Sequence, residues 1–224
     1  MALQFEKREL YGGAITVEFP TDTIDTSDLR EVPDHQEVFL RRSTLTSIIF
    51  EINEYQDTAA IQGAANTIST YSELNIDSTI PSADGAAATH HFKDVIVPTD
   101  YLTPAGIETV AVKLAQPSLA NFPAYFSTGA IIEREVDRLV KSTLPVEWQA
   151  SPAQKEVETK TQQLLIRMKD HGTDFCVRIN IPMKEFNGAQ SEAALTELAV
   201  VDQIMKKIVQ TLDVKDFGLF GGGE

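Results

Sequence analysis

The chain carries a single cysteine, Cys176, among its 224 residues. That excludes an intrachain disulfide and fits a reducing compartment. Basic residues are scarce as well: 19 Lys and Arg against 33 Asp and Glu leave a formal net charge of −14. Nucleic-acid binding needs clustered Lys and Arg to neutralise phosphates, so this balance argues against such a partner and favours a basic protein surface. The sequence has no apolar run near the ~18 residues of a membrane-spanning helix. The opening MALQFEKREL is charged throughout and lacks the apolar centre of a secretory signal. A soluble, intracellular protein without membrane contact is therefore expected. Arg41-Arg42 and Lys206-Lys207 are too short to read as basic import signals.

Signatures of nucleotide, metal and covalent chemistry are equally thin. Gly12-Gly13 is not followed by Gly-Lys-Ser/Thr, and no GxGxxG opens a helix, so no means of holding a nucleotide or other cofactor is expected. His90 and His91 are neighbours and would point to opposite faces of a strand, while His35 and His171 fall in predicted turns. Without a spaced set of carboxylates or cysteines, these read as surface or loop histidines, not metal ligands. There is no GxSxG elbow, and Cys176 lies inside an apolar run where a thiol is usually a small buried hydrophobe. The chain is thus not expected to be an enzyme. A hydrolase built on His90 or His171 would need a pocket.

What is present is a clear pattern of strands. Tyr11-Gly12-Gly13 allows a tight turn, because glycine reaches positive φ without a Cβ clash. Ala14 to Phe19, Gln36 to Leu40 and Ser47 to Asn53 read as strands of a small antiparallel meander, with a turn at Val32-Pro33-Asp34. Residues 1–9 are polar and expected to be loose. Asp57 would cap an amphipathic helix over 58–73, where Ile61, Ala64, Ala65, Ile68 and Tyr71 share a face. Residues 75–90 read as a loop and His91 to Val97 as a short strand. Further on, Thr109 to Ala115 and Ala124 to Glu135 are predicted strands and Leu144 to Lys160 a surface loop. Gln162 to Met168 and Asp174 to Ile181 flank a five-residue connection containing Gly172 and predict a hairpin. Ser191 caps a long helix on which Leu195, Leu198, Val201, Met205, Ile208 and Leu212 form one stripe. The tail is expected to dock through Phe217, Leu219 and Phe220. The fold class is α/β of the α+β kind, a mainly antiparallel sheet with helices packed on its faces.

The candidate functional surface is acidic. Glu51 and Glu54 lie at the end of the Ser47 strand, with Asp25, Asp28, Asp34 and Glu37 nearby in sequence. A solvated strand edge is the plain alternative. Geometry adds a condition: residues three apart on a regular strand face opposite sides. Ile48, Phe50 and Ile52 share a face with Glu54 while Glu51 sits opposite, so both acids meet one partner only if the strand ends or bulges near Asn53.

These residues resemble a known family. The runs Leu10-Tyr11-Gly12-Gly13-Ala14-Ile15, Ile24-Asp25-x-Ser27-x-Leu29-Arg30-x-Val32-Pro33-Asp34-x-Gln36-Glu37-Val38-Phe39 and Ser47-Ile48-Ile49 are similar to the Ran-binding nuclear import factors of the Mog type, also called Ran guanine nucleotide release factors. Leu164-Leu165-Ile166-Arg167, Thr173-Asp174 and Ile179-Asn180-Ile181-Pro182 follow in the same order. The resemblance covers residues 9–55 and 161–182 well and the last helix loosely. It implies a PsbP-like sandwich forming a single Ran-binding domain over 1–224, with a Pro-rich elaboration at about 98–160. It also implies binding of the GTPase Ran, promotion of guanine nucleotide release and stabilisation of nucleotide-free Ran in nuclear protein import. Location in nucleus and cytoplasm follows, with room for a Ran-binding co-factor beside Ran. The family's acidic pair falls on Glu51 and Glu54, with Asp34 and Glu37 extending the partner-binding patch; Glu51 stands where relatives often carry Asp. The rival expectation is a PsbP-like structural or small-ligand module without Ran activity.

Overall fold

A computed structural model describes residues 3–57, 76–77, 82–135, 155–186 and 190–221. The alternating run Ser47–Glu54 forms strand β5 at the heart of the larger sheet; before it come β1 (Phe5–Leu10), β2 (Ile15–Pro20), β3 (Thr23–Asp25) and β4 (Gln36–Arg41). After it follow β6 (Ile76–Asp77), helix α1 (Ser82–Asp94), β7 (Tyr101–Val112), β8 (Ala124–Glu135), β9 (Lys155–Met168), β10 (Thr173–Pro182), helix α2 (Glu192–Thr211) and β11 (Asp213–Val214). The larger sheet has the order β3-β4-β5-β10-β9-β8-β7-β6, and a three-stranded sheet is ordered β1-β2-β11. Every pairing among the described residues is antiparallel. The predicted architecture is the one observed.

The β9–β10 hairpin sets the frame. Phe175, Val177, Ile179 and Ile181 are buried on one face of β10 and join Leu164, Ile166 and Met168 of β9 in the main core. α2 lays Val201, Ile204, Met205 and Ile208 onto that face. Its start is set by Ser191, whose hydroxyl accepts from the Ala194 N–H at 3.1 Å and satisfies an otherwise orphaned donor. Leu212 ends it, and Phe220 of the tail is buried in the same core. Leu195 departs from the predicted stripe: it points outward, 54% exposed. On the other face α1 covers β7 and β8. Gly129 of β8 makes the close approach possible, since a Cβ there would lie 2.9 Å from the Phe92 ring of α1.

Several expectations are corrected. Residues 5–10 are not loose but pair with β2, from Phe5 opposite Pro20 to Leu10 opposite Ile15. The opening meander is divided: β2 belongs to the small sheet, and only β4 and β5 pair as expected. Most of the predicted loop 75–90 and strand His91–Val97 is replaced by α1, whose alanines let a helix lie close to the sheet without a broad apolar stripe. The β7 strand begins at Tyr101, well before the predicted Thr109. Residues 155–160 of the predicted surface loop extend β9, pairing with Ala130 to Glu135 of β8. The predicted helix 58–73 lies outside the described residues.

Candidate functional site

The acidic pair stands on a strand with unbroken register. β5 pairs with β10 from Ser47 opposite Asn180 to Glu54 opposite Thr173, with no bulge at Asn53. The condition for both acids to share a face is therefore unmet, and Glu51 and Glu54 look to opposite sides of the sheet. Glu54 ends the strand exposed to solvent, and Asp34 is exposed in the turn before β4. Among the described residues neither is in an ion pair.

Glu51 is buried on the α1 side. Its carboxylate pairs with the Arg178 guanidinium and accepts from Gln36 Nε2 at 2.6 Å and Asn53 Nδ2 at 3.3 Å. Burial pushes this carboxyl up, but Arg178 and the two amide donors outweigh burial and hold it below its ordinary value. Glu37, half-buried, accepts the backbone N–H of Tyr11. Burial raises the Glu37 carboxyl, more than the Tyr11 hydrogen bond lowers it, and Asp25 adds a further upward push.

Tyr11 connects these acids to the glycine turn. Its backbone is left-handed, φ 50°, followed by Gly12 at 65° and Gly13 at 96°. The Tyr11 hydroxyl donates to the carbonyls of Phe50, 2.9 Å, or His35, 3.1 Å, tying the turn to β5 and to the loop before β4. The turn, the Asp34 loop and the end of β5 thus form one corner of the molecule.

Beneath Glu54, on the α1 face, lies a polar network. Asp174, wholly buried, accepts from Arg167 Nε at 3.2 Å and from the Gln56 N–H at 3.0 Å, and its third contact is His91 Nε2 at 2.8 Å. Arg167 also pairs with Asp84 of α1 and stacks its guanidinium 4.1 Å from the centre of the Tyr55 ring. Arg178 donates to Gln163 Oε1 at 3.0 Å and to the His91 carbonyl at 3.1 Å. His91 is therefore a buried helix residue, not a surface or strand histidine, and His90 beside it is partly exposed. Cys176 sits in the same layer, wholly buried, its thiol pushed up to about 12 by burial. A thiol so rarely ionised is a poor nucleophile. Among the described residues no cluster of three or more His, Cys, Asp or Glu could hold a metal ion.

The network was missed in sequence, although a signal existed: Glu51, Arg167, Asp174 and Arg178 each occupy the step of an alternating strand opposite to its core residues. Charged residues at such positions need counter-charges from elsewhere in the chain.

Known proteins resemble the chain along nearly its whole length. The Mog1 family model, described as Ran-interacting Mog1 protein, matches residues 8–182. A protein of Dictyostelium discoideum named probable ran guanine nucleotide release factor is 26% identical over 226 residues, covering 98% of this chain and 98% of that protein. The Ran guanine nucleotide release factor of Danio rerio is 27% identical over 221 residues, covering 96% of this chain and 99% of the relative. The nuclear import protein MOG1 of Saccharomyces cerevisiae is 27% identical over 214 residues, covering 95% and 83%. In three dimensions, the crystal structure of the Saccharomyces cerevisiae Ran-binding protein Mog1p superposes with a TM-score of 0.54 at 23% identity, covering 98% of this chain and 100% of that one, which establishes the shared fold.

Proposed function

This chain belongs to the Mog1 family of Ran-interacting proteins, and from that premise we propose that it binds Ran, promotes release of its guanine nucleotide and holds the nucleotide-free form during nuclear protein import. The observation carrying this reading is the family match over residues 8–182, which spans the Tyr11 turn, the Asp34 loop and β5. Mechanism follows from linkage. A protein that binds nucleotide-free Ran more tightly than loaded Ran by some factor weakens nucleotide binding by the same factor. It does so by differential affinity, with no bond made or broken.

In this reading Glu54 and Asp34 meet basic residues of Ran, being exposed and without ion-pair partners among the described residues. Glu51 and Glu37 hold that corner in shape from below, Glu51 through Gln36 and Arg178, Glu37 through Tyr11. The test is release of a fluorescent guanine nucleotide from purified Ran. Wild type accelerates release, and Asp34→Lys/Glu54→Lys, altering two exposed positions, lowers the apparent Ran affinity at least about tenfold, some 1.4 kcal/mol. Unchanged acceleration by this folded variant moves the contact elsewhere. No acceleration and no complex with wild type overturns the function itself.

A further inference from the structure

A second feature lies at the other end of the sheet. Gln162 of β9 pairs with Ile179 of β10, six residues along from Thr173, which pairs with Glu54. That separation is about 20 Å at the usual rise of a strand. Here the middle of α2 and strands β7, β8, β9 and β10 line a cleft of about 510 Å³. Its charged lining is Glu108, Glu158 and Asp202 against the single Lys160, an excess of negative charge. The outer wall includes Thr103, Ala105 and Gly106, where the β7–β8 register breaks between Leu102 and Ile107 and Gly106 turns left-handed at φ 75°.

Gln162 distinguishes this cleft from an acidic patch. It is 7% exposed, and its Nε2 donates to Asp202 Oδ1 at 2.5 Å. A carboxylate can only accept, so this bond fixes which way the amide points. The Gln162 Oε1 is then left buried with no hydrogen-bond partner among the described residues. A buried amide oxygen without a donor is a cost that proteins ordinarily avoid. Among the described residues the surroundings thus lack a donor for this oxygen and have a surplus of acceptors.

We propose that this cleft receives an arginine side chain carried on an extended basic segment of a partner protein. A guanidinium offers five N–H donors in one plane. One can satisfy Gln162 Oε1 while others meet the carboxylates of Asp202 and Glu158, a fork that the compact lysine ammonium cannot match. The site is independent of the Glu54 corner, so the chain presents two acidic contact regions on different ends of one sheet.

The probe is a fluorescein-labelled peptide of alternating Ala and Arg, titrated into the full chain by anisotropy, with the Gln162 side-chain amide followed by NMR. Saturable binding that shifts this amide, and that falls at least about tenfold in Asp202→Asn and in Gln162→Met, is expected. Gln162→Met keeps the side chain's length but removes both the unpartnered oxygen and the Nε2 donor to Asp202. Relief of the buried oxygen offsets the lost bond, so its melting temperature should change little while peptide binding is lost. Glu54→Lys should leave the peptide affinity within about twofold. Equal binding of the Ala-Lys peptide, binding that survives Gln162→Met, or loss of binding in Glu54→Lys would each overturn the assignment and leave only attraction to an acidic protein.

Discussion

The two faces of the larger sheet are buried by different chemistry. Against α2, the sheet offers Phe50, Leu164, Ile166, Val177 and Ile179, and the helix answers with Val201, Ile204 and Ile208, all at 0% exposure. Against α1, it offers Glu51, Gln163, Arg167, Asp174 and Arg178, and the helix answers with small alanines, His91, Asp84 and two main-chain carbonyls. Hydrocarbon needs only the right pattern and volume, so the α2 face can tolerate exchange among apolar residues of similar size. A charged layer needs specific partners: an ion pair replaced whole can be neutral, but one broken by removal of a single member is costly. The α1 face is therefore the less forgiving one, and it lies directly under the end of β5 where Glu54 emerges.

The comparison breaks most readily at Asp174. Asp174→Ala takes from buried Arg167 one of its two carboxylate partners, leaving Asp84, and takes the carboxylate from His91 and the Gln56 N–H. It is expected to cost about 3–5 kcal/mol in urea unfolding. A loss under about 1 kcal/mol, within the range of an ordinary surface substitution, would mean that the network adds little. Next comes Glu51→Gln, which keeps the shape but leaves Arg178 without its counter-charge. About 1–3 kcal/mol should be lost at neutral pH. The sign of the pH dependence sharpens this. The native state holds the Glu51 carboxyl below its ordinary value of 4.5, so the unfolded chain takes up its proton first as the solution is acidified. The Glu51 contribution is therefore complete above pH 4.5 and fades as pH falls through the lower native value. Wild type and Glu51→Gln should converge in that acid range; parallel stability curves would count against the ion pair as the cause. The smallest effect belongs to the other face: Ile204→Val removes one methylene from a wholly buried side chain and should cost about 0.5–1.5 kcal/mol, with no pH dependence. A pH-dependent loss there would show that the faces are not separable.

How far the sequence could be read divides along the same line. β4, β5, the β9–β10 hairpin and α2 were legible because each presents apolar residues to one side at the period of its own geometry. α1 was not, since SADGAAATHHFKD has no apolar stripe to detect. Its partners are charged, and the Ala86–Ala88 run earns its place by thinness instead of hydrophobicity. β1, FEKREL, escaped notice because a polar edge strand draws its stability from pairing with β2. The leading part of β9, KEVETK, escaped for a similar reason, its partner β8 supplying the ladder. At the candidate site, alternation correctly set Glu51 and Glu54 on opposite faces. It could not show that Arg178 claims Glu51, because Arg178 lies 127 residues away in sequence.

Cys176 turns the α1 face into something that can be timed. It is the chain's one cysteine, wholly buried between the two arginine-bearing positions of β10 and β9. An alkylating reagent can reach this sulfur only when the layer over it opens, and its reluctance to ionise at neutral pH slows reaction further. The rate at which label accumulates is thus a clock for breathing of that face in an unmodified protein, and a partner that clamps the Glu54 corner should make the clock run slow.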